Sequence, residues 1–123
     1  MMSWTQIASL REQGHEVGAH TMTHPSLAVE GADKLEQEIG GAVRRVREQV
    51  GTVSPVFAYP FGGMSHVPEA AATLLEQAGC VGGVTTVEGL NGANENPYLL
   101  RRFNVTDRHD RLVFRALMAG LKG

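Results

Sequence analysis

One cysteine, Cys80, stands among the 123 residues. A lone cysteine excludes an internal disulfide framework and a cysteine-built zinc site. Following Gly79 in an apolar run, it reads as a small buried residue rather than a reactive thiol. Charge of one sign is also lacking: eleven basic residues oppose thirteen acidic ones, for a net charge of −2. That balance leaves no electrostatic footprint for nucleic acid or an anionic membrane. Arg44, Arg45 and Arg47 sit among Glu36, Glu38 and Glu48 and read as a solvated helix face. No apolar run approaches the length of a membrane span, and no charged-then-apolar opening marks a secretory signal. The default expectation is therefore a cytoplasmic chain. Two adjacent aspartates occur nowhere in it.

What is present is ordinary for a globular domain: 42% hydrophobic and 20% charged residues, enough for a single core. Ser3 and Gln6 form the pattern of a capping box for a helix over residues 3–13, with Gly14 ending it. A short strand is expected over residues 15–19 and a loop over residues 20–27, where Thr21, Thr23 and Pro25 oppose helix. Leu35, Ile39, Val43, Val46 and Val50 make one apolar stripe, predicting a helix over residues 33–50 that Gly51 ends. Further strands are expected over residues 53–59, 80–86 and 98–105. Helices are expected over residues 68–78 and from Asp107 to Leu121, with an Asn- and Gly-rich loop over residues 87–97. Alternating strands and helices with tight connections indicate an α/β fold, about four parallel strands with covering helices. Ligands in such sheets meet the loops after the strands. His20, His24, residues 60–66, the Asn-rich loop and Asp107 all fall there.

The chain is centred on residues 14–25, GHEVGAHTMTHP. His20 and His24 lie four positions apart directly after a strand, and neutral imidazoles are common zinc ligands. A catalytic zinc usually takes three protein ligands, so a third is wanted. Asp107 follows the last strand on the proper side and is the best local candidate, ahead of Asp110 and Asp33, which suit helix capping. Residues 57–63, FAYPFGG, end a strand in a rigid turn. They can form a groove wall of Tyr59, Pro60 and Phe61, with the Phe61 backbone N–H free to meet an oxyanion.

Together the two stretches resemble the polysaccharide deacetylase family, the NodB-homology group of carbohydrate esterase family four. HTMTH at 20–24 and FAYPFG at 57–62 match its motifs in order, and LRRFNV at 100–105 resembles members whose third motif reads FAYP. The resemblance implies a distorted, incomplete (β/α) barrel that removes acetyl groups from N-acetylated glycans. It implies a divalent metal, typically zinc, held by His20, His24 and an aspartate. It also implies an oxyanion contact from the Phe61 N–H and an orienting role for Arg102.

The chain departs from the family pattern in three ways. It has no T-F-D-D motif to supply the base and the aspartate ligand, no recognisable L-x-H motif, and Ala58 where many members place an arginine. Residues 1–123 are therefore expected to be a single, truncated deacetylase-like domain that associates with itself through an unpaired sheet edge. The alternative is a non-catalytic metal- or glycan-binding remnant.

Overall fold

The computed structural model describes residues 1–121. Helix α1 (Trp4–Glu12) begins at the expected capping box. Ser3 Oγ accepts from the Gln6 N–H at 3.2 Å, and Gln6 Oε1 accepts from the Ser3 N–H at 2.8 Å. Ile7 and Ala8 lean on the core and seat the helix. After the turn at Gly14 the chain runs extended beside the next strand. The Val17 carbonyl accepts from Ser54 N–H at 2.7 Å and the Ala19 carbonyl from Ala58 N–H at 3.2 Å. The strand expected at residues 15–19 is thus an extended segment held by two bonds rather than a full ladder.

The long helix forms in three joined pieces: α2 (Ala32–Glu36), a wider π turn (Gln37–Gly41) and α3 (Ala42–Val50). Its stripe of Leu35, Ile39, Val43, Val46 and Val50 is buried as the periodicity requires. The π turn at the Gly40-Gly41 pair adds a residue to the helical cycle. It lets Glu38, Ile39 and Gly40 all face inward.

Strand β1 (Val56–Ala58) pairs in parallel with β2 (Gly82–Val84), Phe57 lying opposite Gly83. Helix α4 (Ala71–Gln77) makes the crossover between them. Leu100 joins the far side through one parallel bridge to Val84, its N–H donating to the Gly83 carbonyl at 2.9 Å. The strand expected from residue 98 therefore starts as a tight turn (Pro97–Leu99) and contributes a single bridge. The α/β arrangement with parallel strands holds, but its strands are short.

Phe57, Tyr59, Leu27, Ile39, Val43 and Leu75 fill the space between sheet and helices. Each buried side chain of this size stabilises the fold by roughly 1.5–3 kcal/mol. Helix α5 (Arg111–Met118) is capped by Asp110, whose carboxylate accepts from Leu112 and Val113 N–H at 2.8 and 2.9 Å. Its apolar residues Leu112, Val113, Phe114 and Met118 are exposed. No described helix is long and apolar enough to cross a membrane.

Candidate active site

His20 leaves the end of its extended segment with the ring tied down. Its Nδ1 lies 2.8 Å from the Ala58 carbonyl of β1. A carbonyl can only accept, so Nδ1 carries the proton and Nε2 keeps its lone pair. A histidine prepared to ligate a metal has this arrangement. The His24 ring stands edge-on to it, with centroids 4.9 Å apart. Both histidines are exposed.

The loop between them is bent against its own preferences. Thr21 and His24 both take positive φ, 63° and 61°, where a residue with a Cβ is strained by about 1–3 kcal/mol. Glu38, reaching up from the π turn, offsets this. It is wholly buried. Its carboxylate accepts from the N–H groups of Met22 and Thr23 at 2.9 and 2.8 Å and from the Thr23 hydroxyl at 2.6 Å. Lys34 lies 2.9 Å away. Burial alone would raise the carboxyl's pKa. The Thr23 hydroxyl, Lys34 and the two backbone donors outweigh it and hold the pKa down to about 2. The sequence placed Glu38 with Glu36 and Glu48 on a solvated helix face; the π turn instead carries it inward, where it is fully buried.

The second loop is bent as sharply. Gly62 N–H donates to the Pro60 carbonyl at 2.6 Å, closing a three-residue turn around Phe61 at φ 61°, a rare and strained hand of the γ-turn. Thr86, just beyond β2, fastens it. The Thr86 hydroxyl donates to the Phe61 carbonyl at 2.7 Å and the Thr86 N–H to the Gly62 carbonyl at 2.9 Å. Gly62 is required here: at φ +66° a Cβ would lie 2.6 Å from Thr86 Cγ2. No acceptor among the described residues takes the Phe61 N–H. The Phe61 ring is 56% exposed and stands against His24 at 5.0 Å and His66 at 5.2 Å between centroids.

His66, in the loop over residues 60–66, belongs to this cluster. Its Nδ1 and Ser26 Oγ share a hydrogen bond of 2.8 Å, stapling the histidine loop to the Phe61 loop. Tyr59 and Pro60 are buried, Tyr59 to 1% exposure, and of the three only Phe61 is open; Tyr59 still lines a cleft with Val67, Ala71 and Tyr98. The Tyr59 hydroxyl donates to the Tyr98 carbonyl at 2.9 Å, and desolvation pushes its pKa upward.

Arg102 is exposed and lines a cleft of about 510 Å³ with Thr86, Glu88, Phe103 and Asn104. It thus neighbours the Thr86 latch of the Phe61 turn. Asp107 is exposed in the turn before α5. Among the described residues no group of three His, Cys, Asp or Glu could hold a metal. Asp107 therefore does not complete a triad with His20 and His24, nor do Asp33 and Asp110. His109 Nδ1 accepts from Thr106 N–H at 3.0 Å and serves that turn. The His20 tautomer and the closeness of the His24 ring suit a shared ion, and among the described residues no third donor stands with them.

The sequence profile of the polysaccharide deacetylase family matches residues 2–81. No curated protein sequence matches the chain. Solved structures resemble it closely in fold. The Streptococcus pyogenes deacetylase PplD, in complex with acetate, superposes with a TM-score of 0.85 at 20% identity, covering 99% of this chain and 51% of that one. A polysaccharide deacetylase from Bacillus cereus gives 0.80 at 22% identity, covering 95% of this chain and 36% of that one. A de-N-acetylase from Aggregatibacter actinomycetemcomitans gives 0.75 at 12% identity, covering 95% and 53%. The chain thus spans about half the length of the first of these proteins, or less.

Proposed function

The chain belongs to the polysaccharide deacetylase family, and on that premise we propose that it carries the histidine side of a metal-dependent site that removes N-acetyl groups from a glycan. The observation that carries this reading is His20. Its Nδ1 is fixed on the Ala58 carbonyl, so Nε2 is left unprotonated, and the His24 ring and the Phe61 turn lie beside it.

His20 and His24 would hold the ion, and imidazole donors suit zinc well. When bound, zinc supplies a Lewis acid for the acetyl carbonyl and lowers the pKa of a water. The protein's own part is positional. Glu38 keeps the two imidazoles presented from a strained loop. The Phe61 N–H, left without an internal partner, donates to the oxygen that gains charge as the acetyl carbon becomes tetrahedral. The Phe61 ring walls the site, and Arg102 orients acidic groups at its edge. Among the described residues no third ligand stands with the pair.

The test is acetate release from N-acetylated chito-oligosaccharides by the chain with added zinc, beside His20→Ala and His24→Ala. Metal-dependent release lost in both variants supports the reading. No release at high protein concentration would favour a metal- or glycan-binding remnant.

A further inference from the structure

On the other side of His20 lies a pocket that the deacetylation chemistry leaves unused. It has a volume of about 290 Å³ and is lined by Trp4, His20, Thr21, Met22, Arg45 and the α3 residues Ala42 and Val46. The capping box at Ser3 starts α1 with Trp4 at its first position. Ile7 and Ala8 seat that helix against the core, and the Arg45 guanidinium then lies 5.8 Å from the Trp4 ring centre. Arg44 spends its charge on Glu36 at 2.8 Å. Arg45, by contrast, has no acidic partner within salt-bridge distance among the described residues. Trp4 is 36% exposed.

We propose that this pocket binds the sugar next to the one undergoing deacetylation, and that it selects a sugar carrying a carboxylate. The inference rests on the glycan reading above. The volume is at the small end of ligand pockets, which suits a single ring rather than a long segment. An indole face packs on the apolar C–H face of a sugar. The Arg45 guanidinium, which lines the same pocket, can offer two parallel N–H groups to a carboxylate. His20 lines both this pocket and the metal-facing site, so neighbouring sugars of one chain would span the two.

Trp4 is the only tryptophan in the sequence, so intrinsic fluorescence reports this pocket alone. The experiment titrates the full chain with two N-acetylated oligosaccharides of equal length, one neutral and one bearing a carboxylate on alternate sugars. The acidic oligomer should change the Trp4 emission and bind about fivefold more tightly, which is ~1 kcal/mol. The preference should fade as salt is raised. Arg45→Gln should erase it, and Arg45→Glu should reverse it, with unchanged thermal melting showing that both variants fold. Equal affinity for the two oligomers, or a preference that survives Arg45→Gln, would overturn the proposal. Binding is read without turnover. Acidic preference without acetate release would therefore count against the deacetylase reading alone, and release without preference against this one alone.

Discussion

Replacing Glu38 by Gln is the most informative single change, because that carboxylate is what the strained histidine loop leans on. The variant keeps the volume but removes the charge. It also turns one acceptor into an NH₂ group: with the amide oxygen kept on the Met22 and Thr23 N–H donors, that NH₂ faces Lys34 and the Thr23 hydroxyl. The carboxyl is held at about 2 against an ordinary 4.5. At about 1.4 kcal/mol for each tenfold change in proton affinity, this is worth at most about 3.5 kcal/mol. Lys34 is 44% exposed and its contribution is screened, so about 2 kcal/mol is the working figure. For a chain of this size that is a loss of roughly 6 to 10 °C in melting temperature. Because the folded pKa is depressed, the stabilisation is fully present above the unfolded pKa near 4.5 and is lost as pH falls toward 2. Thermal melts of wild type and Glu38→Gln should therefore differ by that amount at pH 7 and converge as pH approaches 2. Equal melting temperatures at pH 7, or a gap that does not narrow in acid, would refute the clamp.

Other consequences are as specific. Gly62→Ala should lower stability by more than about 1 kcal/mol in urea titrations, because the new methyl group meets Thr86 at a positive φ. Tyr59→Phe should cost about 1–2 kcal/mol by the same measurement, since it removes the donor to the part-buried Tyr98 carbonyl; a neutral result would contradict a stabilising role for that hydrogen bond. Leu75→Ala, at a fully buried site, should cost about 2–5 kcal/mol. Sedimentation over a dilution series should show self-association through the unpaired sheet edge and the bare face of α5; a well-folded monomer at all concentrations would contradict this.

Local rules were the most legible part of the sequence. The Ser3–Gln6 capping box, the apolar stripe from Leu35 to Val50 and the stop at Gly51 are properties of a few neighbouring residues. They survived into the fold intact. The strands were harder. Residues 15–19 and 98–105 have strand-like composition, but whether they form a ladder depends on partners distant in sequence, and they secured only two and three ladder bonds respectively. His20 and His24 were legible by spacing. The means of presenting them were not, because positive φ at Thr21, His24 and Phe61 runs against the propensities of those residues and is imposed by Glu38 and Thr86 from elsewhere in the chain. The burial of Tyr59 was not legible, because an aromatic before Pro60 looks the same in sequence whether it faces the core or a groove.

The central claim is that His20 and His24 are presented through Nε2 as a metal-ligating pair. It is tested most directly by the imidazole ¹⁵N–¹H spectrum of the chain during a zinc titration. His20 and His24 should shift together at Nε2 to a one-to-one endpoint, His20 keeping the Nδ1 proton it gives to the Ala58 carbonyl, while His15, His66 and His109 hold their positions. Coordination of His20 through Nδ1, or shifts spread evenly over all five histidines, would contradict it.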